Sequence, residues 1–144
     1  MFRKILIVCI GNICRSPMAE ALFRHELGAR AHVESAGVAA LEGHSADSFA
    51  QELLRERGID IASHRARQLT PSLITGFDLV VTMDHEQTRA VETILPSARG
   101  RVHRLGKWSD FDVPDPYKKP REAFERALEL IDQGVMDWKK RFWA

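Results

Sequence analysis

The sequence predicts a single α/β domain built on a central four-stranded parallel sheet with helices on both faces. Ile5-Leu6-Ile7-Val8 is a continuous apolar, branched run, and Phe77 to Thr82 is a second apolar stretch. Runs of this kind fit strands buried on both faces, as in parallel sheets. Strand-like and helix-like stretches then alternate along the chain, the order that crossover helices impose. The length of 144 residues, 44% of them hydrophobic, suits one domain over 1–144 with one core and no covalent staple.

The first strand, Ile5 to Val8, runs into the loop-like stretch Cys9-Ile10-Gly11-Asn12. Ser16-Pro17 reads as a helix start, with serine as the N-cap and proline at the first helical position. Met18, Leu22 and Leu27 give that helix an apolar face. His32 to Ser35 is a short second strand, closed by Ala36-Gly37. A helix is expected over Ser45 to Arg57, with Phe49, Leu53 and Leu54 on one side and Gly58 just past its end. Phe77 to Thr82 is the third strand, and Glu86 to Leu95 a helix stopped by Pro96. Val102 to Leu105 supplies the fourth strand. In the last helix, Phe124, Leu128, Ile131, Val135, Trp138 and Phe142 recur every three or four residues. Trp138 and Trp143 are expected as packing residues of that helix.

Charge and cysteine content narrow the function classes. With 21 basic and 20 acidic residues the formal net charge is +1. Nothing global points to nucleic acid or to membrane insertion. The start, Met1 to Val8, is too short for a signal-peptide core, and no stretch approaches a membrane span. The expected location is the cytoplasm. The two cysteines, Cys9 and Cys14, are too few for a disulfide scaffold. They lack dithiol-redox spacing, and no other His or Cys pair completes a zinc site.

The stretch from Cys9 to Ser16 supplies another explanation. In open parallel sheets, ligands sit beyond the carboxyl ends of the strands, where this loop is expected. A loop leading into a helix N-terminus presents backbone N–H groups and the positive end of the helix to one point, a site for phosphate. Gly11 is expected to allow close approach and a positive φ, and Asn12 to brace the turn. Arg15 offers a planar fork matching two phosphate oxygens. The same field favours the thiolate of Cys9, which can attack phosphorus. Ser16 could donate its hydroxyl to that thiolate. A cysteine and arginine with five residues between them occur together by chance often enough. Here the pair follows a buried strand and runs into a helix start, the context such a motif requires.

Val8 to Glu20, VCIGNICRSPMAE, resembles the signature of the low-molecular-weight protein tyrosine phosphatases. Ser35-Ala36-Gly37, Ser63 to Leu69, Met83-Asp84 and Asp115-Pro116-Tyr117 extend the resemblance in order over nearly the whole chain. The resemblance implies Cys9 as nucleophile and Arg15 as phosphate clamp. It implies that Ile10, Gly11, Asn12, Ile13, Cys14 and Ser16 form the phosphate loop, with Ser35 and His64 as loop support. Neither a metal nor a cofactor is expected, because Arg15 and the loop amides take the developing charge.

Expelling a tyrosyl oxygen calls for a proton donor. Asp115 stands between Pro114 and Pro116, which restrict its conformation. Sequence position alone does not separate it from Asp110 or Asp112, whereas the resemblance selects Asp115. Tyr117 then resembles an aromatic wall for the substrate ring. Lys118 follows where animal relatives usually carry a second aromatic residue. Leu41 takes a rim position, as in bacterial members associated with capsule and exopolysaccharide. The Gly106-Lys107-Trp108 segment also resembles that branch. The implied partner is a phosphotyrosine protein, specifically a tyrosine autokinase controlling polysaccharide export. His64 fits a loop-bracing role better than a catalytic base, and Arg65 and Arg67 read as a solvated pair. Cys14 is close enough to Cys9 for a reversible disulfide, or else simply packs in the loop.

Three alternatives share the loop. Arsenate reductase on this fold uses further cysteines late in the chain, and none follows Cys14. Phosphoarginine phosphatases resemble this loop but carry threonine at the position of Ile13. A non-catalytic phosphotyrosine-binding module would lack the nucleophile or the acid, and both Cys9 and Asp115 are present.

Overall fold

A computed structural model describes residues 2–144; Met1, the first residue of the expected domain, lies outside them. Four parallel strands, β1 (Lys4–Cys9), β2 (His32–Gly37), β3 (Leu79–Thr82) and β4 (Val102–Arg104), form one sheet in the order β2-β1-β3-β4. The chain places β2 on one side of β1 and β3 on the other, so the order reverses beside β1. That reversal opens a crevice at the carboxyl end of β1.

Side chains of β1 alternate between two cores. Ile5, Ile7 and Cys9 pack with residues of α1 (Arg15–Leu27), α2 (Ser48–Arg55) and α5 (Arg121–Phe142). Leu6 and Val8 pack on the opposite face with Ile74 of α3 (Pro71–Thr75) and Val91 of α4 (His85–Ile94). Both faces are therefore covered, which is why β1 reads as a continuous apolar run. The expected stripe of α5 is buried from Phe124 to Trp138, and the Trp138 indole N–H donates to the Leu105 carbonyl at 3.0 Å. Trp143 is buried as well.

Several boundaries differ from the sequence reading. Ser16 is not an N-cap: α1 begins at Arg15 with Cys14 as its cap, and no side chain caps it. Pro17 is tolerated because it still lies in the first turn, where its missing N–H would have had no helical partner. The expected Ser45–Arg57 helix is shorter because the Asp47 carboxylate accepts from the Phe49 N–H and starts it at Ser48. The short α3 was not anticipated. Its signal was present in Thr70-Pro71, where the Thr70 hydroxyl accepts from the Leu73 N–H.

Candidate active site

The loop after β1 is shaped by where its carbonyls go. Those of Cys9, Ile10 and Gly11 accept from the N–H groups of Val38, Ala39 and Leu41, each at 3.0 Å. The Asn12 carbonyl is held by His64 Nε2 at 2.7 Å, and since a carbonyl only accepts, that nitrogen carries the proton. The Ile13 carbonyl accepts from the Asp47 N–H at 2.8 Å. With its carbonyls tied to neighbouring segments, the loop keeps its amides as the unpaired backbone groups. Those of Ile10 to Cys14 donate to no protein acceptor among the described residues. No acidic residue stands in the first turn of α1, so the helix dipole adds to the same positive concavity.

Asn12, not Gly11, takes the left-handed backbone (φ 60), so the positive φ expected at Gly11 is displaced by one residue. Asparagine tolerates that region, and its side chain does more than brace a turn. Its Oδ1 accepts from the Arg67 backbone N–H at 3.0 Å, which orients the amide. Its Nδ2 then donates to Ser16 Oγ at 2.8 Å and Ser35 Oγ at 3.0 Å. Ser35 Oγ in turn donates to the Glu20 carboxylate. Ser16 Oγ lies 2.9 Å from Cys9 Sγ. Asn12 and Ser16 are fully buried, so their side chains sit behind the loop and not on the cleft wall. Gly37 makes this packing possible, because a Cβ there would lie 2.4 Å from the Ile10 carbonyl oxygen.

Arg15 closes the loop with its guanidinium almost wholly buried. One nitrogen donates to the Val113 carbonyl at 2.8 Å and lies 3.4 Å from Asp84 Oδ2. The other nitrogen is 3.8 Å from Asp115 Oδ2. Of the three aspartates in this stretch, Asp110 and Asp112 pair with Arg104 at 3.0 and 2.9 Å. Asp115 remains at the cleft, its carboxylate also accepting from the Tyr117 N–H at 3.1 Å.

One cleft is lined by Cys9, Ile10, Gly11, Ile13, Cys14, Arg15, Leu41, Asp115 and Tyr117, together with Ala39. Lys118 Nζ sits 5.5 Å above the Tyr117 ring. Burial pushes the Cys14 thiol far up from its ordinary range, with the Asp47 carboxylate and Cys9 adding to the effect. Arg67, expected as part of a solvated pair, is partly exposed but also engaged: besides its N–H on Asn12, its guanidinium donates to the Ser35 carbonyl and to Glu34. Asp84, Glu20 and the Val113 carbonyl were not identified as site groups from the sequence. Their partners lie 15 to 98 residues away, and no local pattern marks such pairs.

Known proteins resemble this chain in sequence and in fold. Residues 4–143 match the family model described as low molecular weight phosphotyrosine protein phosphatase. The chain is 49% identical over 144 residues to the probable low molecular weight protein-tyrosine-phosphatase EpsP of Ralstonia nicotianae, covering 100% of this chain and 99% of that protein. It is 40% identical over 143 residues to the low molecular weight protein-tyrosine-phosphatase Wzb of Salmonella typhimurium, covering 96% of this chain and 93% of that protein. Among solved structures, Vibrio vulnificus Wzb in complex with benzylphosphonate superposes with a TM-score of 0.95 at 39% identity, covering 99% of this chain and 100% of that one.

Proposed function

This chain belongs to the low molecular weight phosphotyrosine protein phosphatase family and is a protein-tyrosine-phosphatase, and on that premise we propose how its residues divide the reaction. The Cys9 thiolate attacks phosphorus, a P–S bond forms and the ester P–O bond breaks. Asp115 delivers its proton to the leaving phenolic oxygen. In the second half, the Asp115 carboxylate takes a proton from water as that water attacks phosphorus. The P–S bond breaks, inorganic phosphate leaves, and the released thiolate is held by the Ser16 hydroxyl. Arg15 and the inward amides of Ile10 to Cys14 bind the phosphoryl oxygens throughout.

The observation that carries this reading is the loop with its carbonyls tied outward around Cys9, with Arg15 and Asp115 lining the same cleft. Leu41 and Tyr117 flank the entrance and act as walls for an aromatic ring, which favours tyrosine over the shorter serine and threonine. Ile13 lines the cleft without a hydroxyl, so phosphoarginine is not favoured. The partner is a phosphotyrosine protein. The specific partner we propose is a tyrosine autokinase controlling exopolysaccharide production, with the cytoplasm as its setting; the similarity to the EpsP and Wzb phosphatases supports the tyrosine-phosphatase part of that reading. No helix of the described residues is long and apolar enough to cross a membrane.

The test is hydrolysis of p-nitrophenyl phosphate and of a phosphotyrosine peptide in the presence of EDTA. The parent is expected to turn over both and Cys9→Ser neither, while Cys9→Ser still binds the peptide. Undiminished turnover by Cys9→Ser overturns the cysteine mechanism.

A further inference from the structure

Gln87 is almost wholly buried, at 2% exposure, in the first turn of α4, and no step of the proposed reaction uses it. Its side-chain oxygen accepts from the Met83 N–H at 2.8 Å, and its own backbone N–H donates to Asp84 Oδ1 at 2.9 Å. The residue thus grips the Met83–Asp84 turn from both sides. That turn has two outputs. The Met83 carbonyl accepts from the Val113 N–H at 2.9 Å, and the other Asp84 oxygen faces Arg15. Val113 also accepts from Arg15 through its carbonyl and stands two residues before Asp115. The Val113 and Asp84 contacts of the Arg15 guanidinium, and the anchor of the Asp115 loop, therefore trace back to one glutamine.

A second observation concerns the other end of the amide. Gln87 Nε2 is buried and has no hydrogen-bond partner among the described residues. A buried donor left unmade is unfavourable, so an apolar residue of similar shape would relieve that defect. The glutamine is therefore best explained by its oxygen.

We propose that Gln87 is a positioning residue of the phosphatase reaction, holding the Met83–Asp84 turn so that Arg15 and the Asp115 loop keep their mutual geometry. The inference rests on Asp115 being the general acid. If Gln87 sets the reach of that acid, its loss slows expulsion of poor leaving groups more than good ones, because only a poor leaving group needs the proton.

The experiment compares kcat/KM for dinitrophenyl phosphate and for phenyl phosphate, because this constant covers the steps through leaving-group expulsion. The variants are Gln87→Met, Gln87→Asn, Gln87→Glu and Asp115→Ala. In Gln87→Met the ratio of the two constants is expected to rise roughly tenfold, the scale on which small misplacements act. Gln87→Asn, a methylene short of the Met83 N–H, behaves likewise and carries the test should Gln87→Met fail to fold. Gln87→Glu, which keeps an oxygen at that reach, retains the parental ratio. A merely structural glutamine lowers the melting temperature and both constants together, leaving the ratio within twofold of the parent, and that result overturns the proposal. So does a Gln87→Glu ratio as high as that of Gln87→Met. An unchanged ratio in Asp115→Ala instead removes the acid assignment itself, which separates the two failures.

Discussion

The Asn12 side-chain amide donates to Ser16 Oγ at 2.8 Å, and the same oxygen lies 2.9 Å from Cys9 Sγ. With one lone pair of the oxygen taken by Asn12, the hydroxyl hydrogen is free to point at Cys9 Sγ, and a thiolate there can only accept it. The Arg67 N–H on Asn12 Oδ1 prevents the amide from turning over. A side chain with no place on the cleft wall therefore orients a donor toward the sulfur.

Asn12→Gly isolates that effect, because glycine accepts the φ of 60 at this position. The backbone is kept while three side-chain hydrogen bonds are lost. A stability loss of about 2 kcal/mol is expected from the buried groups left unpaired, measured by urea denaturation, together with a kcat reduced by roughly tenfold or more. Full activity in a variant of parental fold would contradict the polarised arrangement.

Ser16→Ala removes the donor to sulfur and leaves the loop amides in place. Phosphoenzyme breakdown is expected to slow by about tenfold, a scale set by the loss of a charge-assisted hydrogen bond, while phosphate binding stays near the parental value. Alkylation of Cys9 by iodoacetamide at neutral pH should slow in parallel. Burst kinetics on p-nitrophenyl phosphate separate the two chemical steps.

Cys14 is raised by burial, so its contribution to pH-dependent stability has a fixed sign. Its folded pKa lies above the value of about 9 for an exposed thiol. The stabilisation is fully present below pH 9 and is lost as pH rises toward the folded pKa, since the unfolded thiol ionises first. Comparing urea unfolding at neutral pH and at pH 10, Cys14→Ala should lose less stability over this interval than the parent. At neutral pH iodoacetamide should label Cys9 and spare Cys14, as mass spectrometry of the digested protein would report.

Gly37→Ala tests how closely the second strand supports the loop. The added Cβ would lie 2.4 Å from the Ile10 carbonyl oxygen and 3.0 Å from the Asn12 nitrogen, so the backbone must shift. A loss of about 1–3 kcal/mol is expected from overpacking. Because the displaced atoms belong to the phosphate loop, vanadate affinity should fall further than the melting temperature alone would suggest. Parental vanadate binding would mean that the loop relaxes elsewhere.

Asp115→Asn and Asp110→Asn form a matched pair. Removing a general acid is expected to reduce kcat/KM on a phosphotyrosine peptide by roughly two orders of magnitude. Asp110 is exposed and tied to Arg104, and its variant should stay within about twofold of the parent, as surface changes usually do. Equal losses in the two variants would remove the distinction drawn between these aspartates.

The local signals in this chain were strong because they are local in physical origin. A strand covered on both faces must be apolar throughout, and Ile5 to Val8 is. A helix packed along one face repeats its apolar residues at helical spacing, as Phe124 to Trp138 do. The loop from Cys9 to Arg15 carries the proposed nucleophile, the proposed clamp and the helix entry within seven consecutive residues, so their meeting required no knowledge of the fold. Local signals also misled: serine before proline read as a cap, yet Ser16 lies inside the helix and its hydroxyl is engaged with Asn12 and Cys9.

The sequence by itself determined the parallel α/β order, the position of the phosphate loop and the pairing of Cys9 with Arg15, since each follows from the periodicity and spacing of nearby residues. Only the tertiary structure decided that Asn12 takes the positive φ, that Arg67 and Glu20 belong to the bracing network, and that Asp110 and Asp112 pair with Arg104 while Asp115 faces Arg15. It also decided that Gln87 stands behind both Arg15 and Asp115. These relations join chain segments far apart in sequence, and such contacts form only when the sheet order brings loops from β1, β2, β3 and β4 to one edge.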